Sequence, residues 1–182
     1  MTFLLDANVF LDFQNAELLP ELVAAAHVVD MAVAEKVFDE VTLPKAGDSS
    51  DLIGKKKRAT LALRDAPITK IEIIPGTREA ELMQALLASV SGTKDKDQGE
   101  AASIAVATSD PALLFVTGDK AAVLVALNEL FHTGERVMRV PIFIRTLFER
   151  EALARETVKG IAIRAASHGA IPSWWSSWIG AL

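Results

Sequence analysis

Thr2-Phe3-Leu4-Leu5-Asp6-Ala7-Asn8-Val9-Phe10-Leu11-Asp12 opens the chain. Its apolar run has strand length, does not alternate, and ends on a carboxylate. Such a run reads as a strand buried on both faces, the kind found in parallel sheets. It delivers Asp6 at the strand's carboxyl end, the edge where ligands bind in open α/β sheets.

Working outward, further strands are expected at His27 to Ala32, Lys70 to Ile74, Leu113 to Thr117 and Arg136 to Val140. Helical spacing falls between them. Leu18, Leu22 and Ala25 share a face in a helix read from Asn15 to Ala26. Ala34, Val37, Phe38 and Val41 share another. Leu52 to Arg64 is ambiguous and reads as a basic helix. Thr77 is a good N-cap for a helix running to about Val90. Gln98 to Thr108 and Asp119 to Phe131 follow, and Pro141 opens a helix with Ile144, Leu147 and Phe148 inward. A last helix is expected from about Ala152 to Ser167, then a tail with Trp174, Trp175 and Trp178. Strands alternating with helices imply a parallel sheet covered on both faces.

Composition narrows the class. The chain has 182 residues, 51% of them hydrophobic, so a packed core is expected rather than disorder. There is no Cys, which removes disulfides, thiol catalysis and Cys zinc sites. The three His are far apart, at 27, 132 and 168. A net charge of −5 does not describe a strongly basic nucleic-acid-binding domain. No apolar run reaches membrane-spanning length and no secretory leader is evident. A soluble cytoplasmic protein, with no membrane partner, is expected.

Carboxylates recur at the ends of these elements. Asp6 closes the first strand, and Asp119 follows the fourth in Val116-Thr117-Gly118-Asp119-Lys120. Strands one and four beside a switch point would bring the two acids to one edge. Asp97 and Glu100 begin the small-residue helix at capping-box-like spacing. Glu100 lies one turn before Ile104, which turns it toward the sheet edge. Gly99 is a poor helix former that lets a backbone or ligand approach closely. In the helix after the second strand, Glu35 and Glu40 flank the apolar face on opposite sides, and periodicity does not choose between them. Hard oxygen ligands without His or Cys suit Mg²⁺ or Mn²⁺. Each acid also has a plainer role, as a helix cap or a solvated charge.

Four stretches, in this order, resemble the PIN-domain family: Leu4-Leu5-Asp6-Ala7-Asn8, Val37-Phe38-Asp39-Glu40-Val41, Asp97-Gln98-Gly99-Glu100-Ala101-Ala102 and Val116-Thr117-Gly118-Asp119-Lys120. The resemblance covers roughly residues 2 to 145. It implies a three-layer α/β/α sandwich with a five-stranded parallel sheet. It also implies a Mg²⁺- or Mn²⁺-dependent ribonuclease, with the toxin of a toxin–antitoxin pair as one role and an antitoxin protein as a candidate partner. By the same resemblance the acids are Asp6, Glu40, Glu100 and Asp119. Asp97 is an auxiliary metal ligand, and Asn8 and Thr117 accompany the first and fourth acids. The expected organisation is a nuclease domain over residues 1–150 and a helical, Trp-rich extension over 151–182.

Candidate phosphate contacts are Lys55, Lys56, Lys57 and Arg58, then Lys94 and Lys96, and Lys120 beside Asp119. The Trp cluster is expected to pack on the protein's own surface, with a homodimer contact as the alternative. Two rival functions stand beside the ribonuclease. A haloacid-dehalogenase-like phosphatase also begins with an Asp after strand one, but it wants a second Asp where Asn8 stands. A catalytically silent PIN-like binding module would keep the same acids for structure.

Overall fold

Asp6 sits where strand gives way to helix. A computed structural model describes residues 1–89, 98–129, 136–166 and 173–182. The first half of the chain runs β1 (Thr2–Leu5), α1 (Ala7–Asn15), α2 (Leu19–Ala25), β2 (Met31–Ala34), α3 (Glu35–Thr42), α4 (Ser50–Leu63), β3 (Ile68–Ile71) and α5 (Arg78–Ser89). The second half runs α6 (Gln98–Ser109), β4 (Leu113–Thr117), α7 (Lys120–Glu129), β5 (Val137–Arg139), α8 (Val140–Glu149), α9 (Arg155–Ala166) and α10 (Ser173–Ala181).

The five strands form one sheet in the order β3-β2-β1-β4-β5, every neighbouring pair parallel. The chain moves outward from β1 to β3, then crosses back to β4 on the other side. The switch point therefore lies between β1 and β4, where Leu5 is in register with Val116. The central strands are buried and wholly or mostly apolar, whereas the edge strands β3 (four residues) and β5 (three) are partly exposed. Short edge strands with a charge such as Lys70 discourage pairing with another sheet. On one face Phe3 meets Phe143 of α8 edge-on, with ring centroids 5.1 Å apart, and α9 packs on α1 and α8. Right-handed crossovers place α5, α6 and α7 on the other face, giving three layers.

Three elements differ from the sequence reading. The first is α1, which begins at once after Asp6 because the Asp6 carboxylate caps it, accepting from the Ala7 N–H. Val9, Phe10 and Phe13 then form its buried face. The break between α1 and α2 was not marked by any glycine. It is a Schellman end in which the Glu17 N–H donates to the Gln14 carbonyl and the Leu18 N–H to the Phe13 carbonyl. Glu17 takes the left-handed position, at φ 59°. The second is β2, which lies three to four residues later than its Val28-Val29 pair suggests. Val28 is 58% exposed, since α2 is still closing there. The third is β3, which starts directly after Pro67 because Ile68 is in register with Met31.

α8 closes with the same motif. Glu151 also has φ 59°, and the Ala152 N–H donates to the Leu147 carbonyl. A left-handed conformation costs a non-glycine residue roughly 1–2 kcal/mol. Glycine there loses some of that gain through the unfolded chain. Glu151→Gly is therefore expected to stabilise by roughly 0.5–1 kcal/mol, a rise of about 2 °C in melting temperature. A lower melting temperature would show that the Glu151 side chain compensates the backbone.

The C-terminal helices share the sheet's core. Val158 and Ile161 of α9 and Trp175 of α10 are buried in the same apolar cluster as β1 and β4. Trp178 lies 5.2 Å from Trp175 and meets Phe148 edge-on at 5.8 Å, between ring centroids. Thus α10 packs on the protein's own body through Trp175 and Trp178.

Candidate acidic site at the switch point

Burial and hydrogen bonds hold Asp6 in one orientation. The residue is 4% exposed. Its Oδ1 accepts from the Ala7 N–H at 2.8 Å, and its Oδ2 accepts from the Asn8 amide at 3.1 Å and the Thr117 hydroxyl at 2.6 Å. A carboxylate has about four acceptor positions, so these three donors fix its plane. The Thr117 hydroxyl also accepts from the Asp119 N–H at 3.1 Å. One buried side chain therefore links the two acids across the β1–β4 junction.

Asp119 caps α7. Its Oδ1 accepts from the Ala121 N–H at 2.6 Å and the Ala122 N–H at 3.2 Å. Both cap bonds fall on Oδ1, so capping is compatible with a ligand role for Oδ2. Burial pushes the Asp6 carboxyl above its ordinary range. The three hydrogen bonds oppose that shift, and the nearby Asp119 charge adds to it. Two carboxylates held this way favour a cation between them.

The other acids approach from α3 and α6. Glu35 turns away, pairing with Lys70 of β3 at 3.3 Å. Glu40 turns to α6, where its Oε2 lies 2.8 Å from the position a Cβ on Gly99 would occupy. Glu100 is the next residue and is half-buried. Of the two acids that periodicity left open, Glu40 thus faces α6 and Glu35 faces β3. Gly99 is required by close approach, since a Cβ would also come within 3.1 Å of Val37 Cγ2.

Gly99→Ala is accordingly expected to displace the Glu40 carboxylate. Overpacking costs about 1–3 kcal/mol, and the better helix propensity of Ala returns up to about 1 kcal/mol. A net fall of roughly 2–4 °C in melting temperature should follow, with helix content unchanged by circular dichroism. An unchanged melt would mean that Val37 and Glu40 yield at no cost.

Gly118 marks a residue that sequence reasoning missed. A Cβ there would lie 3.5 Å from Asn8 Cβ and 3.9 Å from Asp12 Oδ2. Asp12 stands one helical turn after Asn8, and this i,i+4 spacing on α1 was the signal available.

Among the described residues, no three His, Asp or Glu side chains are gathered closely enough to hold a metal ion. Asp6 and Asp119 form one pair, while Glu40 lies beside Gly99 on α6, the residue before Glu100. The Asp6 and Asp119 carboxylates are hard oxygen donors, the ligand type that suits Mg²⁺ or Mn²⁺. Asp97, Lys94 and Lys96 lie outside the described residues.

The basic run falls on α4, away from β1. Lys56 is buried, donating to the Leu43 carbonyl at 3.0 Å and pairing with Asp48 at 2.9 Å. The Asp48 carboxyl is held below its usual range by the Lys45 N–H first and by Lys56 next. Lys55 pairs with Asp51 at 3.1 Å. Lys57 and Arg58 are exposed, and Arg58 joins Lys55, Gln14 and Asn15 around a cavity of about 640 Å³. Lys120, next to Asp119, is exposed. No helix among the described residues is long and apolar enough to cross a membrane.

Comparison with protein-family models, with curated proteins and with solved structures returns no match.

Proposed function

We propose that the chain is a divalent-metal-dependent ribonuclease of the PIN type, hydrolysing phosphodiester bonds of RNA at the β1–β4 switch point. The observation that carries this reading is the Thr117 hydroxyl, which donates to Asp6 and accepts from the Asp119 N–H. It orients the Asp6 carboxylate and ties it to the Asp119 backbone at the sheet edge where such folds place ligands.

Asp6 and Asp119 would hold Mg²⁺ or Mn²⁺, with Glu100 and Asp97 as further ligands. When bound, the ion lowers the pKa of a water and offsets charge on the phosphate oxygens. The chain's own residues do the positioning. Thr117, Asn8 and the Ala7 N–H keep Asp6 from rotating, and the first turn of α7 does the same for Asp119. Glu40, on the opposite wall, orients the attacking water. Lys120 offers a cation to the substrate backbone, which reduces repulsion between an acidic cleft and an anionic chain.

A phosphatase reading is weaker, because Asn8 is a hydrogen-bond donor to Asp6 where an acid would be needed. The test is turnover of single-stranded RNA and of a phosphomonoester, each with Mn²⁺ or EDTA. Mn²⁺-dependent RNA cleavage giving 5′-phosphate and 3′-hydroxyl ends is expected. Phosphomonoester turnover alone overturns the reading, and folded protein with no turnover of either substrate favours a silent binding module.

A further inference from the structure

The acidic edge has a basic neighbour that its own chemistry does not use. Arg139 ends β5 in register with Thr117, and adjacent strands lie about 4.8 Å apart. Arg139 is thus one strand away from the hydroxyl that links Asp6 to Asp119. It also occupies the N-cap of α8, where its side chain makes no capping bond. Its Nε is buried and meets no acceptor among the described residues. The residue is half-buried; a guanidinium has five donors in a fixed fork, and a buried Nε without an acceptor requires an explanation.

The surroundings supply one. Arg139, Lys120, Val123 and Leu124 line a recess of about 260 Å³ between α7 and the end of β5. Among the described residues no carboxylate lines it, in a chain whose net charge is −5. Leu124 is 69% exposed and Ile142, in the first turn of α8, is 46% exposed. Two cations and two apolar side chains match the two halves of a nucleotide. The volume is below the roughly 300–1,000 Å³ of whole-ligand pockets, which suits one unit of a longer chain.

We infer that this recess is a nucleotide subsite: Arg139 and Lys120 hold the phosphate of the residue next to the scissile bond, and Val123 and Leu124 contact its base. The inference rests on the ribonuclease reading for its substrate class. A phosphate in the recess would meet the Arg fork with two parallel hydrogen bonds, and a small rotation of the guanidinium would bring the covered Nε into that pair. A lysine in place of Arg139 keeps the charge and loses that geometry.

Binding of a labelled single-stranded RNA of about 10 nucleotides, followed by fluorescence anisotropy in EDTA across a salt series, tests the assignment apart from cleavage. Arg139→Ala is expected to weaken binding about tenfold and to reduce the salt slope by about 0.7, the value of one single-strand phosphate contact. Arg139→Lys should restore the slope but not the full affinity, an outcome that a merely structural role would not give. Lys120→Ala, at an exposed position, should lower the slope by a similar amount and decides the matter if Arg139→Ala does not fold. Unchanged affinity and slope in these variants overturn the subsite, while Mn²⁺-dependent cleavage by the parent would leave the ribonuclease reading standing. RNA binding without cleavage overturns that reading and leaves the Arg139 comparison to decide the subsite. A parent that neither binds nor cleaves RNA overturns both.

Discussion

Asp6→Asn should abolish metal-dependent RNA cleavage and, at neutral pH, make the protein harder to melt. The loss should be on the order of 10³-fold or more in kcat/KM, the scale on which removal of one essential side chain acts. Asparagine is nearly isosteric and can still accept from the Ala7 N–H, so α1 keeps its cap. The gain in stability follows from the raised carboxyl, whose first cause is burial and whose last is the Asp119 charge. An acid raised in the folded state favours folding in its protonated form. That contribution is complete below the ordinary value and is lost as pH climbs through the raised one. At neutral pH the ionised group therefore opposes folding. Asparagine removes the opposition, worth about 0.5–2 kcal/mol when a strained functional site is relieved.

Melting curves from pH 4 to pH 8 check this directly. The variant's advantage should be largest at pH 8 and should shrink toward pH 4. Mn²⁺ should raise the parent's melting temperature more than the variant's, because binding stabilises only the folded form. A variant that cleaves RNA at the parental rate would remove Asp6 from the chemistry altogether. A variant less stable than its parent at every pH would mean that its hydrogen bonds outweigh the buried charge.

Trp175→Ala should produce the largest loss of stability. Trp175 is 2% exposed, and its ring begins the series that continues through Trp178 to Phe148 at the end of α8. Truncating a buried Trp or Phe costs about 3–5 kcal/mol. For a chain of this size that is roughly 10 °C in melting temperature. Because α9 and α10 share one core with the sheet, the melt should remain a single transition, shifted as a whole. A shift within about 1 °C would show that α10 contributes little to folding. An early separate transition would show that the extension melts independently of residues 1–150.

Much of this architecture was legible in the sequence, for identifiable reasons. Leu113 to Thr117 is read to the residue because an apolar run bounded by Pro111 and Gly118 leaves no other register. Thr77 announces α5, and its hydroxyl does accept from the Ala80 N–H. Strand-helix alternation yields the parallel sheet, and the switch point then brings Asp6 and Asp119 to one edge. What was hidden depended on contacts distant in sequence. Val28 and Val29 look like strand residues until β1 selects Met31 to Val33 as partners. The end of α1 uses Glu17 where a glycine would have signalled the turn. Arg139 lies on a three-residue strand too short to show a face, and only its register with Thr117 reveals its nearness to the acids. Periodicity did not separate Glu40 from Glu35; their different surroundings involve Gly99 and Lys70, residues on other elements.

The hydrogen bond from Thr117 to Asp6 spans 111 positions of sequence, and this has a consequence during synthesis. A chain leaving the ribosome carries Asp6 almost from its first moment, yet β4 must be translated and released before the acid can be locked. Domains add residues at about 5–20 per second, so Asp6 waits on the order of ten seconds for its clamp. Until then β1 has no strand on its β4 side, and the cleft between them does not exist. On the proposed ribonuclease reading, the nascent chain is inert until β4 has emerged and paired with β1.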